Sequence, residues 1–571
     1  MTSEGPATQN YGAVFTRRWV VEVLLDLTGY TADRDLGGMH LLEPSCGSGA
    51  FLGPAVERLI ASAQRQGRDL GSLGDAVRAY DLQTGHVEDC RTLCRDLLLA
   101  AGESAATAAA LAVLWVRRAD FLFSDLFSEV EDRQADVVVG NPPYVRYDDL
   151  APDLAARYRS TWTTMTGRGD IYVGFIERSL RMIKPGGKVG FICADRWMRN
   201  AYGAGLREMV AQRYAVEHVW TMHDVDAFET QVSAYPAITV LANHAQSSVV
   251  AADTTAAFSA SSAAELVRAV HAEGFTGFSG TGVTAHLLPH WFDGGKLWPT
   301  GSPARLALIE ALNDRFDPLD DPSTGTRVSI GVASGADKVF VTKNPAAAEQ
   351  DRMLPLAMRR DLMSGTFRWQ GNYLVNPWAD DGSLVRLADY PMMAAYFSKH
   401  PEIRGRHVVK GAQESWYRTI DKVHAKLTDR PKLLLQDMKA YIHPVLEPGG
   451  HYPHHNLYYV VSDTWDMEVL GGILLSRIAQ AFIEAYCVRM RGGTLRFQAQ
   501  YLKRIRVPRP DEIASATQDA LRAAFRDRDT EAATLAAADA YGIDLKDYEL
   551  ARPDAGRPDG SRRLPVLDQT D

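Results

Sequence analysis

A chain of 571 residues exceeds what a single hydrophobic core supports, so two or more domains are expected. Five cysteines without a Cys-x-x-Cys pair argue against a zinc site or a disulfide framework, no apolar run is long enough to span a membrane, and the N-terminus lacks a signal segment, so a soluble cytoplasmic protein is expected. The net charge of -9 argues at first against a nucleic-acid partner, but residues 327–510 hold 26 Lys and Arg against 17 Asp and Glu, an excess of +9 set against -18 for the rest.

Along the chain, Leu41-Leu42-Glu43-Pro44-Ser45-Cys46-Gly47-Ser48-Gly49-Ala50-Phe51-Leu52 reads as strand, Gly-rich turn and helix, with glycines where backbone must approach a ligand closely. The spacing departs from the dinucleotide fingerprint, which wants a third Gly. Ala79-Tyr80-Asp81-Leu82 puts an acid at a second strand end, suited to ribose hydroxyls, and Ala119-Asp120-Phe121-Leu122 sets a third acid beside an aromatic ring, suited to an adenine amino group and face. Taken singly, Asp81 and Asp120 read first as helix caps or solvated loop acids, and their order and spacing relative to Asn141 reverse that reading.

The Val-rich run 135–140 then predicts a central parallel strand that delivers Asn141-Pro142-Pro143-Tyr144 to the carboxyl end of a sheet, where open α/β folds bind ligands. An exocyclic amino group on a base is a poor nucleophile because its lone pair is delocalised. Acceptors aimed at its two hydrogens favour the attacking form, and the Asn141 side-chain oxygen and the Pro142 carbonyl supply them. The prolines stiffen the turn, and the Tyr144 ring offers a flat face for a base.

In this order and spacing, these motifs resemble those of S-adenosylmethionine-dependent amino-group DNA methyltransferases of the gamma motif order, similar to the Taq I type of adenine-N6 enzymes. The resemblance begins at Tyr11-Gly12-Ala13-Val14-Phe15-Thr16, with Arg17 where a proline is usual, and runs to about residue 510. It implies a Rossmann-like catalytic domain with a mixed seven-stranded sheet, followed by a mixed α+β target-recognition domain. It also implies that Phe15 and Thr16 hold the methionine end of S-adenosyl-L-methionine, Glu43 with Gly47 and Gly49 its amino acid part, Asp81 the ribose, and Asp120 with Phe121 the adenine. The methyl group then faces Asn141. Residues 169–177 resemble a family helix whose apolar side packs on the sheet, and 184–192 a turn followed by a strand. Residues 227–234 resemble the loop whose aromatic residue, here Phe228, closes a sandwich on the extruded base with Tyr144; an ordinary core ring is the alternative. Flipping the base costs a few kcal/mol, which stacking at about 1 to 3 kcal/mol per base offsets.

The catalytic domain is expected to span 1–245, a Ser-, Ala-, Thr- and Gly-rich connector 246–296, and the recognition domain 297–510, opening with a strand pair around a Gly turn at 328–341. An Ala-rich helical extension at 511–550, packed on the recognition domain or used for assembly, and a disordered tail at 551–571 complete the reading. Arg359, Arg360, Lys439, His455, Arg491 and Arg496 are candidates for contact with double-stranded DNA, along with His454 and Arg489. No metal is expected at His451, His454 and His455, because no Cys or paired acid stands nearby at ligand spacing. Cytosine N4, RNA or a protein glutamine amide remain alternative acceptors, and an idle DNA-recognition subunit an alternative role. Restriction activity or other defence functions are expected on a separate chain.

Overall fold

The computed structural model describes residues 15–123, 134–167, 169–229, 236–299, 301–363, 365–409, 413–487, 495–548 and 550. They belong to two units, one of residues 1–303 with 488–492, the other of 304–487 with 493–571. The first is built on one sheet of β1 (Leu41–Glu43), β2 (Val77–Asp81), β3 (Val116–Arg118), β4 (Ala135–Gly140), β5 (Ile183–Ala194), β6 (Ala215–Thr221), β7 (Pro236–Ala242), β8 (Val249–Thr254), β9 (Gly277–Gly280) and β10 (Val283–Leu288). Their order is β3-β2-β1-β4-β5-β7-β6-β8-β10-β9.

The segment β3 to β5 is parallel throughout, and β7 runs antiparallel between β5 and β6. Every residue of β1 is buried, and so is all of β4 but Asp136. Such strands need cover on both faces and therefore read as unbroken apolar runs. Helices α1 (Arg18–Leu27), α2 (Leu52–Gln66), α3 (Thr84–Ala100) and α4 (Ala105–Trp115) share an apolar core with the sheet, in which Val20, Leu24, Val56 and Leu98 are fully buried. From β1 the chain steps outward to β2 and β3, then returns to lay β4 on the other side of β1. That reversal opens a crevice at the carboxyl ends of β1 and β4.

The sheet is wider than the seven strands expected, because the stretch read as a connector supplies β8, β9, β10 and a helix, α7 (Ala260–His271). Its serines cap that helix: Ser259 and Ser262 form a capping box. Low complexity in composition thus concealed two short alternating strands, 249–254 and 283–288. Between β4 and β5 lie α5 (Pro152–Thr161) and α6 (Tyr172–Met182). Helix α6 is not one-sided as expected, since Tyr172 to Leu180 are all buried, including Glu177 and Arg178. Glu177 accepts hydrogen bonds from the Thr164 amide and hydroxyl, which satisfies the buried charge.

The second unit holds two four-stranded sheets. In one, Arg327–Ile330, Leu457–Val461, Lys432–Gln436 and Val445–Glu447 pair antiparallel in that order; the other is made of Val341–Thr342, Tyr373–Val375, Met353–Ala357 and Tyr452–Pro453. The expected strand pair at 328–341 is only half realised: Asp337–Phe340 is a helical turn, and the short strands flanking this stretch belong to different sheets. The cause is local, since Ser334 Oγ accepts from the Ala336 amide and Gly335 takes φ +76°. Buried Lys432 is matched by Glu447 and by the carbonyls of Thr428 and His451.

The extension after residue 510 is integral to this unit. Helices α8 (Met467–Leu475) and α9 (Arg477–Tyr486) are joined by α10 (Ser515–Asp527) and α11 (Thr530–Tyr541). Gly471 and Gly472 let the helices approach closely: a Cβ on Gly471 would lie 2.5 Å from the Phe525 ring, and one on Gly472 would lie 2.5 Å from the Leu521 carbonyl. Among the described residues no single helix is long and apolar enough to cross a membrane, and the bent apolar pair α8–α9 is buried along most of its length. The predicted tail at 551–571 lies outside the described residues. Gly471→Ala is expected to cost about 1–3 kcal/mol by overpacking, a drop of several degrees in the melting of this unit by calorimetry. An unchanged midpoint would show that the Phe525 ring yields freely.

Candidate active site

At the end of β4 the Asn141–Tyr144 turn leaves the sheet beside the β1 turn, and Ser45 Oγ donates to the Asn141 carbonyl at 3.3 Å. Asn141 Nδ2 donates to Thr16 Oγ1 at 3.3 Å. Thr16 is held there by a strap: the Arg17 amide donates to the Ala227 carbonyl at 3.0 Å, the Glu229 amide donates to the Phe15 carbonyl at 2.9 Å, and Thr16 bridges Phe228. Two segments more than 200 residues apart therefore meet at the Asn141 side chain.

The β1 turn runs through Gly47 at φ +51° and Gly49 at φ +93°, a region that L side chains rarely adopt. The Gly47 amide donates to Asp81 Oδ2 at 2.9 Å and the Gln83 amide to Asp81 Oδ1 at 2.8 Å, with His86 Nδ1 3.2 Å from the same oxygen. Asp120 is fixed in the same manner, accepting from the Leu122 amide and from the Tyr158 hydroxyl, each at 2.9 Å. Glu43 differs. It is 1% exposed, its Oε2 has no hydrogen-bond partner among the described residues, and burial, with Cys90 and Asp81 nearby, holds its carboxyl well above the usual range.

These groups open onto one cavity of about 520 Å³, whose wall includes Phe15, Thr16, Glu43, Gly47, Asp81, Asp120, Phe121, Asn141, Pro142 and Tyr144. Gly49 is not on that wall; its missing Cβ avoids Leu93, whose side chain would lie 2.8 Å away. Phe228 is not on it either. It is 5% exposed within the core cluster, and its ring stands edge-on to Tyr144, with centroids 6.5 Å apart and planes at 81°, so the parallel pair expected for a sandwich is not the arrangement present. Burial pushes the Tyr144 phenol well above its usual range, so the ring is neutral.

Sequence reasoning missed His86, Tyr158, Phe175 and Arg178. Phe175 stacks on Phe121 at 5.3 Å and 29°, while Arg178 lies over the Phe121 ring at 4.8 Å and donates to the Phe121 carbonyl. His86, five residues after Asp81, was the one with a local signal; the others arrive from α5 and α6, where nothing in the pattern marks them. Residues 11–14 and 230–234, part of the resemblance, lie outside the described residues.

In the second unit Arg359 and Arg360 are exposed on one turn, Lys439 is half-buried, and Arg496 Nε is 3.9 Å from Asp437. Arg489 and Arg491 lie outside the described residues. The fold also brings an acid to the His run that the local sequence did not offer. Asp337 Oδ2 is 3.0 Å from His454 Nε2, and with His455 these residues place three possible ligand atoms within 4.8 Å of one another. His454 and Ser334 hold the Asp337 carboxyl down at about 2, as a satisfied hydrogen-bond network does.

A mixed sheet with a parallel β3–β5 segment, a Gly turn, three strand-end acids and an Asn-Pro-Pro-Tyr turn around one cavity defines an S-adenosylmethionine-dependent methyltransferase. The donor set suits that cofactor: a buried carboxylate lacking a partner matches an ammonium group, and fixed carboxylates match hydroxyl and amino donors. A family model described as Eco57I restriction-modification methylase matches residues 105–228. Type II methyltransferase M.XhoI of Xanthomonas vasicola is 41% identical over 94% of this chain and 98% of its own length, and M.PaeR7I of Pseudomonas aeruginosa is 41% identical over 93% and 92%. M.BstVI of Geobacillus stearothermophilus is 36% identical over 90% and 92%. The Type IIL restriction-modification enzyme MmeI, solved in complex with DNA, shares the fold with a TM-score of 0.59 at 11% identity, over 94% of this chain and 74% of that one. The chain belongs to the Type II DNA methyltransferases of restriction-modification systems.

Glu43 gives a test of the cofactor site. A cationic group placed beside a carboxyl whose pKa is raised lowers that pKa again, so binding S-adenosylmethionine should release a proton, and affinity should fall as pH drops below the free-site value. Titration calorimetry in buffers of different ionisation enthalpy should detect the release in wild type and lose it in Glu43→Gln. Equal heats after buffer correction of zero protons in wild type would place the ammonium elsewhere.

Proposed function

We propose that this methyltransferase acts on the N6 amino group of an adenine flipped out of duplex DNA at a specific site. The observation that carries the reading is the Asn141-Pro142-Pro143-Tyr144 turn on the wall of the cavity, next to the acids suited to the cofactor. When bound, S-adenosylmethionine supplies an electrophilic methyl group. Glu43 receives its ammonium, Gly47 and Gly49 shape the turn around its amino acid part, and Phe15 and Thr16 close over the methionine end. Asp81 accepts from the ribose hydroxyls, and Asp120 with Phe121 receives the adenine.

Asn141 acts on the acceptor base. Its amide donates to Thr16, which turns the carboxamide oxygen away from that contact and toward an incoming amino group. With the Pro142 carbonyl, this oxygen accepts the two amino hydrogens and localises the nitrogen lone pair for in-line attack; no side chain need act as a base before transfer. Tyr144 stacks on the base. Phe228 closes the second face only if the strap 227–229 lifts its ring from the core, which makes clamp closure a step of base capture.

DNA is favoured over RNA or a protein amide by the basic excess of residues 327–510, and we assign target recognition to the second unit. Cleavage belongs to a separate nuclease chain in this reading. In support, the relatives matching over nine-tenths of the chain are named as methyltransferases, whereas the fused restriction enzyme and methyltransferase RM.Eco57I matches 15% of it.

Radiolabel transfer from methyl-labelled S-adenosylmethionine to unmethylated duplex DNA of mixed sequence, followed by nucleoside analysis, should yield N6-methyladenine. Asn141→Ala should abolish turnover with cofactor affinity nearly intact, and Asp120→Ala should weaken the cofactor instead. N4-methylcytosine as product would overturn the choice of base, and wild-type turnover by Asn141→Ala the assignment of the site.

A further inference from the structure

The guanidinium of Arg528 has no carboxylate partner among the described residues, unlike those of its neighbours on the same helix. Two residues back, Arg526 pairs with Glu468, and before it Arg522 pairs with Asp466 at 3.0 Å. Arg528 sits at φ +59°, the one non-glycine residue in the left-handed region among those described. The turn between α10 and α11 thus holds a strained residue whose side chain is directed inward. Its Nη1 donates to the Pro444 carbonyl at 2.7 Å, its Nη2 is 3.1 Å from the His443 ring nitrogens, and its Nε is buried without a hydrogen-bond partner.

Other cations surround it. Burial pushes the ammonium of Lys439, on the strand Met438–Lys439, below its usual range, and the charges of Arg359 and Arg528 add to that. Burial, with the charges of Arg528 and Lys439 after it, pushes His443 down to about 4. No carboxylate offsets any of these effects. Three formal positive charges are therefore gathered in a partly desolvated place, a costly arrangement unless an anion completes it.

We infer that Arg359, Lys439 and Arg528, with His443, form a seat for a backbone phosphate of the DNA target, so that the C-terminal helices take part in holding the duplex. This rests on the reading of the second unit as the DNA-binding part. Guanidinium and ammonium groups that lack a carboxylate match a phosphodiester, and such contacts fix the register of a duplex without reading its sequence. Arg359 and Lys439 are thereby phosphate contacts rather than base readers, and Arg528 joins them from a segment with no sequence signal for DNA.

Fluorescence anisotropy of the full chain on duplexes of several sequences, across a salt series, tests this. Lys439→Gln, Arg359→Gln and Arg528→Gln should each weaken binding several-fold on every sequence and lower the slope of log affinity against log salt by about 0.9, the contribution of one phosphate. Arg528→Lys should retain most of the slope, and cofactor affinity should match wild type in all four. Wild-type slopes in both Lys439→Gln and Arg359→Gln, or a loss confined to one sequence, would overturn the phosphate seat. Failure of wild type to bind duplex DNA at all would overturn the underlying DNA reading instead. Since Arg359 is exposed, its variant isolates charge from folding.

Discussion

One constraint organises the catalytic unit: β4 is buried between β1 and β5, parallel to both, and must end where the strand order reverses. Its polar continuation has one exit, into the crevice beside the β1 turn, so the core that stabilises the fold also fixes Asn141. A one-residue slip of β4 would exchange the side chains on its two faces and shift the Asn141–Tyr144 turn with them. The position of Asn141 thus follows from packing, whereas its orientation comes from a separate source, the N-terminal strap that presents Thr16. Backbone pairing of 15–17 with 227–229 binds the start of the chain to the loop that carries Phe228. Thr16 and Phe228 therefore belong to one mechanical element.

Three acids of the cavity, Glu43, Asp81 and Asp120, are chemically alike and physically different. Asp81 and Asp120 each accept from a backbone amide and from a side chain, which orients them as acceptors before any ligand arrives. Glu43 is buried with an oxygen unmet, so its charged form needs a cation beside it. Prearranged acceptors suit neutral hydroxyl and amino donors, and an unmet carboxylate suits an ammonium. Environment rather than residue type sorts their roles.

How much of this was legible depended on sequence distance. Glu43, Gly47, Asp81, Asp120 and Asn141 stand at the ends of short apolar runs, and the end of a parallel strand is a functional address in any fold of this class, so their convergence could be read. Tyr158 and Arg178 act on Asp120 and Phe121 from helices whose own pattern is merely helical; only tertiary packing reveals them. The stretch 246–296 was misread because Ser, Thr and Gly mark linkers and helix caps alike, and β8 and β10 are short enough to hide among them. Around 334–337 a Ser–Gly turn with its own hydrogen bonds overrode the β-propensity of Val339 and Phe340. Asp337 reaches His454 across 117 positions, and no local spacing rule detects such a partner.

Charge shows the same division between count and arrangement. The +9 excess of residues 327–510 is a count over the sequence, yet several of those cations are spoken for: Arg430 pairs with Asp463, Lys432 with Glu447, and Arg496 leans toward Asp437. A paired cation has largely exchanged its counterion for a carboxylate and has little to release on binding DNA. Arg528 lies outside the counted stretch, next to arginines neutralised by Asp466 and Glu468, and would be discounted in any tally. It differs from them in meeting a carbonyl, the His443 ring and the Phe525 ring but no carboxylate among the described residues. The signal for an anion is therefore the local failure of pairing, a property that requires residues 359, 439, 443 and 528 to be seen together.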